Sequence, residues 1–348
     1  MKAMVIGVFG GPEVLLRQEV PERPPRNHEV LVRVHATSVN AVDCSSRRGE
    51  RAVPLPAILG CDVSGVVESI GGEVEDFIPG DEVFYVPEID SGSGSYAEYH
   101  VAQAGIVARK PSDLSHVEAA GVPLAAGTAW EGLVRRAALQ PGETLLVHGS
   151  CPVALFAIQI ASAAGAQIFM TTTAGTIAAE KRVGRARVID RATEDFVRVI
   201  RNESTDGAVD VVFDTSGDTP LAQSTRVLKA YGRMVSTTRP PGEVPEELIL
   251  RNITHYFVHA EPGRGRLDML RALLHRKQLM PIIDSIYPVW EVAAAHRLFE
   301  SGTPNGKVIL QVVADDGPGT STPLIVQQKR RTLDSAALHL ALSPLIMS

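Results

Sequence analysis

Residues 145–155 read Leu145-Leu146-Val147-His148-Gly149-Ser150-Cys151-Pro152-Val153-Ala154-Leu155, an apolar strand that runs through a small-residue turn into the start of a helix. Such a turn sets helix-terminal amides where a pyrophosphate can accept hydrogen bonds, so the first chemistry suggested is dinucleotide binding. About twenty residues further on, where dinucleotide folds hold an acid against an unphosphorylated ribose, stands Met170-Thr171-Thr172-Thr173-Ala174-Gly175-Thr176, with no Asp or Glu. Lys181 and Arg182 follow. Their charge suits a 2′-phosphate, although basic residues opening a helix are as often simply solvated. Cys44, Cys61 and Cys151 form no Cys-x-x-Cys pair and are too few for a disulfide scaffold. A reducing, cytoplasmic setting without structural zinc is the expectation. His100, His148 and His255 show no partner pattern.

A phosphate turn of this kind needs a parallel sheet behind it. The first third of the chain reads instead as an all-β module, with strands at Glu29–Val34, Gly65–Ile70 and Asp81–Tyr85 bounded by Gly, Pro, Asn or Asp. After Pro123 apolar strands alternate with helical segments in the order Leu145–His148, Val153–Ala164, Gln167–Thr171, Glu194–Asn202, Asp210–Asp214, Leu221–Leu228 and Arg233–Ser236. That alternation predicts an α/β, doubly wound parallel sheet. Helices are expected over Leu267–Leu274 and Glu291–Glu300. The strand Gly306–Val312 is placed to rejoin the first module, which would make the nucleotide-type domain an insertion. From Asp315 a Gly/Pro/Ser/Thr-rich stretch leads through Lys329-Arg330-Arg331 to an apolar end. It reads as a loosely ordered or surface-docked tail, with a partner-binding helix capped by Asp334 as the other reading.

Composition narrows the field. The 348 residues are 45% apolar and 21% charged, with a net charge of −6, which suits two folded cores and disfavours a nucleic-acid binder. The apolar stretch from Val153 to Met170 is interrupted by Gln159, Ser162, Gly165 and Gln167, as in a buried helix and strand, so no membrane span is expected. The start is apolar but short and lacks a cleavage pattern, so no signal peptide is read there. A small molecule is the expected partner.

Several strings occur in one order: Gly11-Pro12-Glu13-Val14-Leu15, Ser38-Val39-Asn40-Ala41-Val42-Asp43 with Arg48-Gly49, Leu59-Gly60-Cys61-Asp62-Val63-Ser64-Gly65 and Pro79-Gly80-Asp81-Glu82-Val83. They continue with Ser95-Tyr96-Ala97-Glu98-Tyr99, Gly127-Thr128-Ala129-Trp130, Gly207–Asp214 and Asn305-Gly306-Lys307-Val308. Over residues 1 to 313 the chain thereby resembles the zinc-independent quinone oxidoreductases, the zeta-crystallin-like family of the medium-chain dehydrogenase/reductase superfamily. The resemblance implies a GroES-like β-rich catalytic domain over 1–122, a Rossmann domain over 123–262, a return to the catalytic domain over 263–314 and an extension over 315–348. It also implies NADPH as cofactor, hydride transfer to quinones or enones in an interdomain cleft, and a homodimer paired near the Arg233–Thr238 strand. By the family's pattern Asn40 and Thr128 are the catalytic pair beside the nicotinamide, and Lys181 serves the 2′-phosphate. Ser150, Val153, Ala154, Thr172, Thr173, Thr215, Thr237, Phe257, Val258 and Lys307 are implied as further cofactor contacts. A neutral amide and hydroxyl can orient a carboxamide or polarise a carbonyl without competing for the hydride. For Asn40 a turn-stabilising role is the other reading.

Where zinc-dependent relatives place a Cys and a His in the β domain, this chain has Asn40 and Cys61, and no third ligand stands near Gly127-Thr128. A buried small thiol accounts for Cys61 better than half a metal site. The family's turn reads approximately His-Gly-Ala-Ala-Gly-Gly-Val-Gly, whereas His148-Gly149-Ser150-Cys151-Pro152-Val153-Ala154 is one residue shorter and lacks the central glycines. Pro152 donates no amide, but it fits the first position of a helix, where none is needed. The link over Ala179–Ile189 is also slightly shorter. Two alternatives to an NADPH-dependent reductase stay open: a cofactor-independent isomerase or cyclase on the same scaffold, or a catalytically silent binding protein.

Overall fold

Thr144-Leu145-Leu146-Val147-His148 is buried at every position, as a strand covered on both faces of a parallel sheet must be. It lies inside a six-stranded sheet whose order is Ala186–Asp190, Gln167–Thr172, Thr144–His148, Val209–Asp214, Leu228–Ser236 and Thr254–Phe257. Every neighbouring pair is parallel. Counted along the chain this order is 3-2-1-4-5-6, the Rossmann arrangement, whose ligands bind at the carboxyl ends of the strands where the order reverses. The computed structural model describes residues 1–88, 90–172, 185–217, 221–238, 245–259 and 261–313. The expected C-terminal tail lies outside the described residues.

The β-rich module is organised on Glu29–Val39, which is buried over most of its length. One edge pairs with Val63–Ile70. The other pairs antiparallel first with Tyr99–Gln103 and then with Lys307–Gln311. The late strand expected at 306–312 thus closes the early sheet, with Val308 opposite Val39. One large core joins Val30, Val32, Val83 and Phe84 of this module to Leu155, Phe156 and Ile158 of the helix Pro152–Ala163 and to Leu267, Leu270 and Leu274 of the helix Arg264–His275. A second core, with Phe169, Val199, Val212 and Met234, fills the other face of the parallel sheet.

Some elements differ from the sequence reading. The outer strands Ala186–Asp190 and Thr254–Phe257 carry too many polar residues to register as strands, because flanking positions in the sheet bury less. The expected helix Leu221–Leu228 ends at Thr225, and Leu228 already begins the next strand. Tyr231 in the left-handed region (φ 62°) and a register shift between Val209 and Val211 break that strand's periodicity. Pro123 opens an unanticipated helix, Pro123–Trp130, continued by a π-helical turn over Glu131–Arg136. Among the described residues no helix is long and apolar enough to cross a membrane.

Candidate active site

The turn after the first parallel strand is set by Gly149, at φ 100°. A Cβ there would stand 2.7 Å from the Thr215 hydroxyl, so glycine is required both for the angle and for the approach. Thr215 closes the turn by donating its hydroxyl to the His148 carbonyl at 2.7 Å. His148, at the strand's end, bonds Thr171 at 2.8 Å and Ser224 at 3.1 Å and is fully buried. It ties its strand to the neighbouring strand through Thr171 and to the helix Leu221–Thr225 through Ser224. Pro152 does occupy the first helical position, and Cys151 at the N-cap supplies no side-chain bond. The first intrahelical bond runs from the Leu155 amide to the Cys151 carbonyl, so the amides of Val153 and Ala154 precede the ladder.

Ser150, Val153, Ala154, Thr172, Thr215, Thr237 and Val258 all lie at or just beyond the carboxyl ends of the parallel strands or in the helix turn that follows. Thr237 donates its amide to the Asp214 carbonyl at 3.0 Å. The Asp214 carboxylate accepts from the Ser216 and Gly217 amides at 3.0 and 3.1 Å, shaping the turn that faces Gly149. Phe257 ends the edge strand with its ring largely in solvent, against His255 at 4.6 Å. Thr173 and Lys181 lie outside the described residues. An uncapped helix start beside a glycine turn fits a diphosphate, with one donor fewer because Pro152 has no N–H.

The β-rich module contributes a buried polar core. Asn40 is the N-cap of the helix Ala41–Arg48, in a capping box with Asp43. Its side chain also reaches into the core, where Nδ2 donates to Asp62 Oδ2 at 2.9 Å and Oδ1 accepts from Lys307 Nζ at 2.7 Å. The Asp43 carboxylate accepts from the Asn40 amide at 2.8 Å. Lys307 also pairs with Asp62 Oδ2 at 3.0 Å, both side chains being enclosed. The Lys307 ammonium, implied by the resemblance as a cofactor contact, is bonded here to Asn40 and Asp62.

Asp62 connects this core to the Rossmann side. Its Oδ1 accepts from the Leu124 amide at 2.8 Å, and Thr128, one turn further along that helix, donates its hydroxyl to the Leu124 carbonyl at 2.8 Å. The two residues implied as catalytic therefore belong to one bonded path, Asn40 to Asp62 to Leu124 to Thr128. Sequence reasoning missed Asp62, Asp43 and Ser38 as parts of it. The only signal was their presence in the strings around Asn40 and Cys61.

Cys61 donates its thiol to Asp43 at 3.0 Å. Burial, with that carboxylate beside it, pushes the thiol well above its ordinary range. Burial also raises Asp43, to about 6. One thiol bonded to Asp43 and one amide bonded to Lys307 fall short of the three or four ligands that a zinc site uses. Among the described residues no three His, Cys, Asp or Glu side chains are grouped to hold a metal ion.

Comparison with known proteins gives the same placement. Residues 26–112 match the alcohol dehydrogenase GroES-like domain, and residues 183–310 match a family described as zinc-binding dehydrogenase. The quinone oxidoreductase of Homo sapiens is 32% identical over 325 residues, 89% of this chain and 97% of the relative. A chloroplastic NADPH-dependent alkenal/one oxidoreductase of Arabidopsis thaliana is 31% identical over 89% of this chain and 79% of its own. Among solved structures, the quinone oxidoreductase from Coxiella burnetii superposes with a TM-score of 0.80 at 30% identity, covering 90% of this chain and 99% of that one. An alcohol dehydrogenase superfamily protein from Novosphingobium aromaticivorans gives 0.82 at 30%, covering 90% and 100%. The chain belongs to the zinc-independent quinone oxidoreductase family of the medium-chain dehydrogenase/reductase superfamily.

Proposed function

We propose that the protein is an NADPH-dependent reductase of quinone-like or α,β-unsaturated carbonyl substrates. The observation that carries this reading is the bonded path linking Asn40 to Thr128, two neutral side chains, together with an uncapped helix start after the glycine turn. The names borne by relatives at 31–32% identity support it. When bound, the nicotinamide coenzyme supplies the hydride. Ser150 and the amides of Val153 and Ala154 would hold the diphosphate, and Thr215 and Thr237 would wall it. Thr128 has already given its proton to Leu124, so its oxygen is left to accept from a carboxamide N–H. Asn40 has a second N–H engaged only by a long contact to Ser38 at 3.5 Å, which a substrate carbonyl would take over, and the product's proton comes from solvent. The preference for NADPH rests on Lys181 and Arg182, outside the described residues.

The same reading includes a homodimer through the free edge of the parallel sheet. That edge is Thr254–Phe257, one strand beyond Arg233–Ser236, and Tyr231, Ile249, Leu250 and Phe257 are exposed around it. Sedimentation should give twice the chain mass, and Ile249→Glu should shift it toward the monomer. For the activity, NADPH titration followed by nicotinamide fluorescence should saturate and be weakened by Lys181→Ala. No binding at millimolar cofactor refutes the reductase. Turnover of an enone panel without cofactor would then select the non-redox alternative.

A further inference from the structure

Behind Asn40 sits one charged group for which hydride transfer has no direct use, the ammonium of Lys307. It touches Asn40 Oδ1 and Asp62 Oδ2 at 2.7 and 3.0 Å, and its side chain is 1% exposed. So enclosed, it acts on the protein rather than on a phosphate. We propose that Lys307 is a positioning residue: together with Asp62 it decides which way round the Asn40 side-chain amide stands, and hence which of its atoms meets the reacting groups. This deepens the reductase reading and rests on it for its catalytic consequence.

An asparagine amide has two orientations of nearly equal shape, and bonding alone selects between them. Here the ammonium faces the oxygen and the carboxylate faces the NH2 group. Rotation by half a turn would set NH2 against ammonium and oxygen against carboxylate. Both mismatches would lie in a region closed to water, where an unmade bond is costly. Ser38 adds to the bias. Its hydroxyl donates to Asp62 Oδ2 at 2.5 Å, which turns oxygen lone pairs toward Asn40 Nδ2 at 3.5 Å. Neither partner can drift. Lys307 is delivered by a strand registered on Val39, and Asp62 is held from its other oxygen by the Leu124 amide. What Asn40 can offer is the N–H held only by the long Ser38 contact and one lone pair of Oδ1, with the ammonium's pull on the oxygen strengthening that N–H as a donor.

Lys307→Met alone would strand a buried carboxylate, so it is combined with Asp62→Asn, which keeps the core neutral. In the protein without cofactor, the Asn40 side-chain NH2 resonances, identified by their loss in Asn40→Ala, should shift and exchange faster in the double variant. In turnover, kcat should fall about 10- to 100-fold, the range for displacing a reacting group by about an ångström, with the KM for NADPH changed less. Adding Asn40→Ala to the double variant should then cost nothing further, because Lys307 acts only through Asn40. Unchanged NH2 resonances, or independent multiplying effects on kcat, overturn the proposal. If the wild-type protein turns over no substrate with NADPH, the reductase reading fails and the amide spectrum alone decides on Lys307.

Discussion

Replacing Gly149 with alanine tests the turn on which cofactor binding depends. Holding an alanine in the left-handed half of backbone space costs about 1–2 kcal/mol. The new methyl would also stand 2.7 Å from Thr215 Oγ1 and 3.3 Å from the Ser216 nitrogen. The Thr215 hydroxyl can withdraw only by releasing the His148 carbonyl, now at 2.7 Å, a loss of about 0.5–1.5 kcal/mol. Gly149→Ala should therefore lower the unfolding free energy by about 2–3 kcal/mol. Because the turn must shift to make room, NADPH affinity should drop at least about tenfold. Urea denaturation followed by tryptophan fluorescence reads the first effect, and nicotinamide fluorescence the second. Thr215→Ala removes the atom in conflict, so the two substitutions together should cost less than their separate costs added. A Gly149→Ala protein within about 0.5 kcal/mol of wild type, with unaltered NADPH affinity, would refute this account of the turn.

Burial, reinforced by Arg47 and Arg48, holds His296 down to about 3, and burial holds His100 and His116 down to about 4. The unfolded chain takes up these protons near pH 6.5 and the folded chain does not, so stability should be fullest above 6.5 and fall as pH drops toward 4. Asp43, raised to about 6, works oppositely between its ordinary value and 6, one group against three. Denaturation midpoints at pH 7 and pH 5 check the net sign, and a higher midpoint at pH 5 would contradict it. Burial pushes Cys44 up to about 12 and Cys61 well above the ordinary thiol range, whereas Cys151 is half-buried at the helix start. A disulfide reagent at pH 8 should label one thiol in the folded protein and three in denaturant, and NADPH should slow the single reaction. Asp62→Ala leaves the Lys307 ammonium without its carboxylate and should cost about 3–5 kcal/mol, measurable by thermal unfolding. Arg264 donates to the Ala104 and Val107 carbonyls, both at 2.7 Å. Arg264→Ala should lower stability by about 1.5–3 kcal/mol without changing the pattern of thiol labelling.

Local patterns proved readable where local forces act. The strand at Thr144–His148, the proline at the helix start and the returning strand at Lys307–Gln311 all follow from short-range periodicity and from the restricted backbone of proline. The outer strands escaped notice because Ala-Arg-Val-Ile-Asp at 186–190 and Thr-His-Tyr-Phe at 254–257 show no apolar run. The site was legible by residue type and not by bonding. Asn40 reads as a turn residue until the strand carrying Lys307, far along the chain, is laid beside it. His148 reads as an isolated histidine until Thr171 and Ser224 are brought to its two nitrogens. Such pairings depend on tertiary register, which no window of neighbouring residues contains.

The pairing of Lys307–Gln311 with Glu29–Val39 has an outcome for biogenesis. On the ribosome Asp62 is synthesised long before its counter-cation, so an emerging polypeptide that packed its early sheet at once would entomb an uncompensated acid. Stable burial of that acid therefore depends on a residue made 245 positions later. Docking of Lys307–Gln311 then delivers the charge to Asp62.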